Sequence, residues 1–295
     1  MSIEVLGERG HSSEGGVSPS RRSVCPICPR HCSLAEGQIG SCHARICRDG
    51  VVTAANYGRL TSIALDPIEK KPLSTFHPGV KILSIGSYGC NLHCPWCQND
   101  SISQVGEDSR WEYWEPAEVV AVAERLRNRG NIGVAYTYNE PLISYEYLLD
   151  CCELVHEAGM VNVLVSNGCI CDEPLQKLLP LIDAANIDLK GPDQAFYDRC
   201  GGNYEAVWNC IQALTQAGSH VEVTTLEIPG LNDSDEAIES IAQRLAALDP
   251  QPVYHLSRFF PCYKMSDASP TPKSTMRHLA TIARSYLPDV RLGNR

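Results

Sequence analysis

The sequence predicts an α/β fold, an open partial (β/α)6 barrel of the TIM-like kind, with a small N-terminal Cys-rich metal-binding module in front of it. Three observations predict it. From residue 81 onward short β-branched runs alternate with longer segments of helical period, the pattern of strand–helix units repeated around a parallel sheet. About six such units can be counted, short of the eight that close a full barrel. Residues 23–80 are too few and too rich in Gly, Pro and Cys to build a conventional core, so a bound metal is expected to support them.

Taken in order, residues 1–22 are rich in Ser, Gly and charge and are expected to form a disordered tail; they hold no apolar stretch suited to a signal peptide or a membrane span. Residues 23–80 form the module and its linker, and residues 81–295 the barrel. Strands are expected at KILSIG (81–86), IGVAYTY (132–138), VNVLVSN (161–167), AANIDLK (184–190), VEVTTLE (221–227) and PVYHLSRF (252–259). Helices fill the gaps. One runs from Pro116 to Arg129 and closes at Gly130, a second from Tyr145 to Ala158 closes at Gly159, and another from Tyr204 to Ala217 closes at Gly218, each glycine tolerating a left-handed turn. Others are expected over 173–181, 235–248 and 273–286. The segment DPIEKKPL (66–73), with its charges between two prolines, reads as a linker docking the module onto the barrel, with Lys70 or Lys71 at the site mouth as the other reading.

A hydrophobic fraction of 43% and a charged fraction of 20% describe an ordinary soluble globular chain, and a net charge of -10 removes the electrostatic reason to expect nucleic acid. No membrane association is expected either. The 15 cysteines are an odd number in a long chain without an export signal, so metal ligands in a reducing cytoplasm explain them better than a disulfide scaffold. Eight of them fall between residues 25 and 97. The remaining seven, Cys151, Cys152, Cys169, Cys171, Cys200, Cys210 and Cys262, read as small buried hydrophobes.

The chemistry is concentrated in GCNLHCPWCQN (89–99), where Cys90, Cys94 and Cys97 are spaced C-x3-C-x2-C. A closed structural zinc site uses four protein ligands, whereas a reactive site keeps one position open. Three thiolates on a 4Fe-4S cluster likewise leave one iron free. The triplet directly follows the first predicted barrel strand, which puts it at the C-terminal mouth where active sites of such folds lie. Polar residues also end the other strands: Tyr138-Asn139-Glu140, Ser166-Asn167-Gly168, Asp188-Leu189-Lys190, Glu227 and Arg258. Ser166 and Asn167 have a second reading as helix caps.

The triplet, with Trp96 just before its third cysteine, resembles the signature of the radical S-adenosylmethionine (SAM) enzymes. The resemblance implies that the free iron chelates the methionine moiety of SAM. Reductive cleavage of its C5'–S bond would then give a 5'-deoxyadenosyl radical that abstracts hydrogen from a substrate. It further implies that Asn139 and Glu140 face the SAM amino group, although Tyr138 and Asn139 stand where two glycines often do. Ser166 and Asn167 would face the ribose or carboxylate, and Asp188 and Lys190 match the DLK segment of glycyl-radical-enzyme activases. Together with CPICPRHCSLAEGQIGSCHAR, DPIEKKPL, HPG and YTYNEP, the pattern resembles the AmmeMemoRadiSam-type radical SAM proteins, close to the pyruvate formate-lyase activating enzymes. That likeness implies MEMO-type and AMMECR-type proteins as partners, reduced flavodoxin or ferredoxin as electron donor, and a protein glycine or a small organic molecule as substrate.

Cys25, Cys28, Cys32 and Cys42 are spaced C-x2-C-x3-C-x9-C, enough thiolates for a filled second site. The spacing leaves zinc and a second 4Fe-4S cluster both open, with His31, His43 and Cys47 as substitute ligands. Two other classes compete with the enzyme: a zinc-supported binding or scaffold protein, which would need a fourth ligand such as His93 at the triplet, and an electron-transfer iron-sulfur protein without SAM cleavage, which would need a fourth thiolate.

Overall fold

A computed structural model describes residues 22–294; the expected tail at 1–22 lies, but for Arg22, outside the described residues. Its centre is one eight-stranded sheet. The strands are β1 (Ser62–Pro67), β2 (Lys81–Gly86), β3 (Asn131–Tyr136), β4 (Val161–Ser166), β5 (Ala184–Asp188), β6 (His220–Glu227), β7 (Val253–Arg258) and β8 (Asp289–Gly293). They lie side by side in reverse chain order from β8 to β1. Every neighbouring pair from β2 to β8 is parallel, and β1 alone runs antiparallel against β2. β1 and β8 are the two edges, so the sheet is an open partial barrel.

All six expected strands are present, and the structure adds two at the edges. β8, DVRLG, is short and carries two charges that pair with each other, Arg291 Nη2 to Asp289 Oδ2 at 2.7 Å. β1 ends on Asp66-Pro67, and proline is tolerated there because an edge strand has one side without ladder bonds. The segment read as a linker from residue 66 therefore begins inside the sheet, and the boundary drawn at residue 80 does not coincide with a break in it.

Among the described residues the six longer helices cover the outside: α1 (Pro116–Arg125), α2 (Tyr145–Glu157), α3 (Asp172–Leu178), α4 (Tyr204–Gln216), α5 (Asp235–Leu248) and α6 (Lys273–Arg284). Their starts follow from local chemistry. Glu115 and Glu118 form a reciprocal capping box at α1, and Asn203 and Ser234 accept backbone N–H bonds at the first turns of α4 and α5. Apolar residues recur every three or four positions, so α1 buries Val119, Val120 and Ala123 and α2 buries Leu148, Cys151, Cys152 and Val155. Each larger side chain so buried contributes roughly 1.5–3 kcal/mol.

The bottom of the open barrel is plugged by residues 68–76. Ile68 and Leu73 are fully buried in a small cluster with Ile82, Ala135, Val163 and Ala184. Below them the Glu222 carboxylate accepts hydrogen bonds from the backbone and hydroxyl groups of Ser74 and Thr75, all at 2.8–2.9 Å, and is also bonded to His220 and His255. Upstream, Arg45 fastens the cysteine-rich segment to α2 through two bonds to Glu146 at 2.6 and 2.8 Å.

Candidate active site

The loop that leaves β2 carries the cysteine triplet. Its entry is held by Asn139, whose side chain accepts from Ser87 N–H (2.9 Å) and donates to the carbonyls of Tyr88 and Gly89 (3.1 Å each). Gly89 sits at φ +86°, and a β-carbon there would collide with the carbonyl of Cys42. Beyond it, Cys90 N–H donates to that same carbonyl at 3.2 Å. The far end of the loop is tied to the segment after β7 by Lys264 N–H to the carbonyl of Pro95 (3.0 Å).

Each thiol has a polar neighbour. Cys90 Sγ accepts from Leu92 N–H (3.4 Å) and Asn167 Nδ2 (3.7 Å), and Cys97 Sγ lies 3.1 Å from Ser103 Oγ. Burial and then the nearby Glu140 charge push the Cys90 thiol far up; a hydrogen bond with Cys200, then burial, raise Cys94; burial raises Cys97. Ligation of iron by these thiols releases their protons.

Glu140 is 2% exposed and bridges two strand ends. It accepts from Leu142 N–H (3.0 Å), Ser166 Oγ (2.7 Å) and Asn167 N–H (2.8 Å), and burial pushes its carboxyl up to about 7 against those bonds. Asn167 also donates to Asn91 Oδ1 at 2.8 Å, which links the end of β4 to the cysteine loop. The cap reading of Ser166 and Asn167 does not hold, because α3 begins only at Asp172, with Cys171 at the N-cap position. Lys190 pairs with Asp188 at 2.6 Å; burial would lower its pKa, but Asp188 and then Cys94 raise it, so the ammonium stays charged. Trp96 is 3% exposed and packs on Phe196 with ring centroids 5.4 Å apart.

One cavity of about 370 Å³ is lined by all ten of these residues: Cys90, Cys94, Trp96, Cys97, Asn139, Glu140, Ser166, Asn167, Asp188 and Lys190. The other two expected strand-end residues are not there. Glu227 is fully buried with both carboxylate oxygens lacking a partner among the described residues, and Arg258 donates to the carbonyl of Thr271 at 2.6 Å. Strand alternation is the reason: Thr224 and Leu226 of β6 and Ser257 of β7 face the cavity, so the next residue of each strand faces away. Those three were legible from the period-two pattern. Tyr138, Lys70 and Asn294 also line the cavity. Tyr138 is held at φ +72° with its hydroxyl donating to Asp66 (2.6 Å) and Lys71 stacked 4.6 Å from its ring centre, a contact between distant segments that no local pattern announces. Lys71 is therefore buried against Asp66, and of the two lysines only Lys70 reaches the cavity.

The residues fit an iron-sulfur cluster better than a single ion. Four thiolates around one zinc at about 2.3 Å lie within roughly 4 Å of one another. Among the described residues no three His, Cys, Asp or Glu side chains are close enough to share one ion. His93, the fourth ligand a zinc site would need, is 3.1 Å from Gln104 Oε1 instead, and does not line the cavity. Cys200 neighbours Cys94 but does not line the cavity either, where the triplet meets polar groups instead. Four of the seven scattered cysteines nevertheless stand close to this region: Cys200 as described, Cys262 donating to the carbonyl of Trp96 at 3.3 Å, and Cys169 and Cys171 beside the upstream group.

Comparison with known proteins gives the family. The chain is 40% identical over 261 residues to an uncharacterised protein of Methanocaldococcus jannaschii, covering 88% of this chain and 77% of that protein. It is 30% identical over 129 residues to the 4-hydroxyphenylacetate decarboxylase activating enzyme of Clostridioides difficile, covering 42% of this chain and 41% of that enzyme's length. A radical SAM methyltransferase of Sphaerobacter thermophilus has the same fold, with a TM-score of 0.56 at 17% identity over 75% of this chain and 68% of that one. QueE of Escherichia coli does too, at 0.51 and 16% over 80% of this chain and 94% of that one. The Radical SAM superfamily model matches residues 84–245, from within the strand before the cysteine loop to within α5, and a match over more than half its length shows that the chain belongs to that superfamily of enzymes.

Proposed function

We propose that the protein uses a 4Fe-4S cluster on Cys90, Cys94 and Cys97 to cleave SAM reductively. The observation that carries this reading is the convergence of an incomplete cysteine triplet with Glu140, Ser166 and Asn167 on one cavity at the strand ends. When bound, the cluster and SAM supply a 5'-deoxyadenosyl radical able to take a hydrogen atom from a protein glycine or a small organic substrate, as in the activating enzymes the chain resembles. The chain's own part is positioning. Asn139 spends its side chain on the backbone of residues 87–89 and so fixes the loop rather than reaching the amino group itself. Glu140, ready to ionise near neutral pH, is the acceptor for a ligand ammonium, and Asn167 joins it to Cys90. Asp188 and Lys190 add an ion pair to the same cavity.

An oxygen-sensitive centre requires a reducing compartment, which for this chain is the cytoplasm, and no helix among the described residues is long and apolar enough to cross a membrane. Reduced flavodoxin or ferredoxin serves as donor, and MEMO-type and AMMECR-type proteins are the partners to test. Anaerobically reconstituted protein with dithionite and SAM is expected to release 5'-deoxyadenosine, and a Cys90→Ala, Cys94→Ala, Cys97→Ala chain to release none. Absence of release from the wild-type chain, with its full iron content, would refute the reading.

A further inference from the structure

The upstream cysteines do not sit apart from the active site. Cys28 has Cys25 and Cys32 as electrostatic neighbours, and Cys42 has Cys28 and Cys25, so the four thiols face one region. The segment is drawn closed by Cys25 N–H donating to the carbonyl of Cys32 at 2.9 Å. Four thiols in one segment are a full ligand set for a polynuclear cluster, in which each thiolate holds its own iron.

Two contacts join this group to the catalytic loop. The carbonyl of Cys42 accepts from Cys90 N–H, and the approach is so close that only glycine fits at position 89. Cys28 lines a small pocket together with Asn91, whose side chain accepts from Asn167, the residue that donates to Cys90 Sγ. Exposure runs the other way. Cys42 and Cys25 are buried at 5% and 4%, while Cys28 and Cys32 are partly exposed. None of the four lines the substrate cavity. A centre reached from solvent on one side and touching the first cluster ligand on the other, but shut off from substrate, is placed to carry electrons and not to bind a substrate.

We propose that Cys25, Cys28, Cys32 and Cys42 hold a second 4Fe-4S cluster that relays electrons from a protein donor at the surface to the cluster on Cys90, Cys94 and Cys97. The relay rests on the function proposed above for that triplet. In each event a low-potential one-electron protein donor loses one electron, the second cluster gains it and passes it to the first, and no bond or proton changes at the second site.

Two measurements test it on the full chain. The Cys90→Ala, Cys94→Ala, Cys97→Ala chain, reconstituted anaerobically, is expected to keep about four iron and four sulfide and to show a reduced-cluster paramagnetic resonance signal with dithionite. Zinc in their place, or no iron, overturns the second cluster whether or not SAM is cleaved. The Cys25→Ala, Cys28→Ala, Cys32→Ala chain is expected to drop from about eight iron to about four. Its 5'-deoxyadenosine release should stay within about twofold of wild type with dithionite, a small reductant that reaches the first cluster directly, and fall at least roughly tenfold with reduced flavodoxin. Equal loss with both reductants, or equal retention with both, overturns the relay. A wild-type chain that holds about eight iron yet releases no 5'-deoxyadenosine refutes the function proposed for the triplet and leaves the second cluster standing.

Discussion

Glu140 and Asn139 are neighbours with different tasks, and the difference comes from where their hydrogen bonds go. Asn139 is consumed by backbone groups of residues 87–89, so Asn139→Ala is expected to loosen the cysteine loop, read as lower iron occupancy at unchanged SAM affinity of the fraction that is loaded. Glu140 is consumed by three donors yet keeps a carboxyl near its ionisation point. Glu140→Gln replaces an acceptor with a group that also donates, and 5'-deoxyadenosine release is expected to fall at least roughly tenfold with iron content retained. A wild-type rate in that variant would remove Glu140 from the site. That both residues reach the cavity was legible from their place after a strand. Their separate partners were not, since Ser87 and Ser166 lie far from them in sequence.

At the scale of elements, the catalytic loop depends on contacts from either side of it. Gly89→Ala adds a β-carbon at a left-handed position facing the carbonyl of Cys42, so a stability loss of at least about 1 kcal/mol is expected, with reduced iron loading in the same sample; denaturant unfolding and iron assay check both. The barrel floor depends on Glu222. Burial would raise its carboxyl, but the bonds from His220, His255, Ser74 and Thr75 outweigh it and hold the group well below the usual carboxylate range. A depressed folded-state value contributes stability that is fully present above the unfolded value of 4.5 and is lost progressively as pH falls below it toward the folded-state value. Glu222→Ala is therefore expected to cost about 3 kcal/mol or more at neutral pH, and its stability should change less than that of wild type between neutral and acidic solution, as midpoints of denaturant unfolding would show. The helices were readable from period and caps. The plug was not, because residues 68–76 carry a linker's composition and acquire their role only from the floor they fill.

For the whole molecule, the same antiparallel edge that the sequence disguised, β1, carries Asp66, and Asp66 positions Tyr138 at the cavity. The module and the barrel are thus joined through a shared sheet edge, through Arg45 and Glu146, and through Cys42 and Cys90. Arg45→Met, which keeps the bulk and removes the bidentate pair, is expected to lower stability by about 3 kcal/mol, since it leaves Glu146 without its cation and frees a mostly buried contact; thermal unfolding checks it. By itself the sequence determined the parallel sheet, the six helices and the cysteine triplet at a strand end, because period, caps and ligand spacing are local and survive in one dimension. Tertiary structure alone decided which strand-end residues face the cavity, that two edge strands extend the sheet, and that the upstream cysteines touch the catalytic loop. Those depend on the parity of each strand and on backbone groups meeting across dozens of residues, and neither leaves a local mark in the chain.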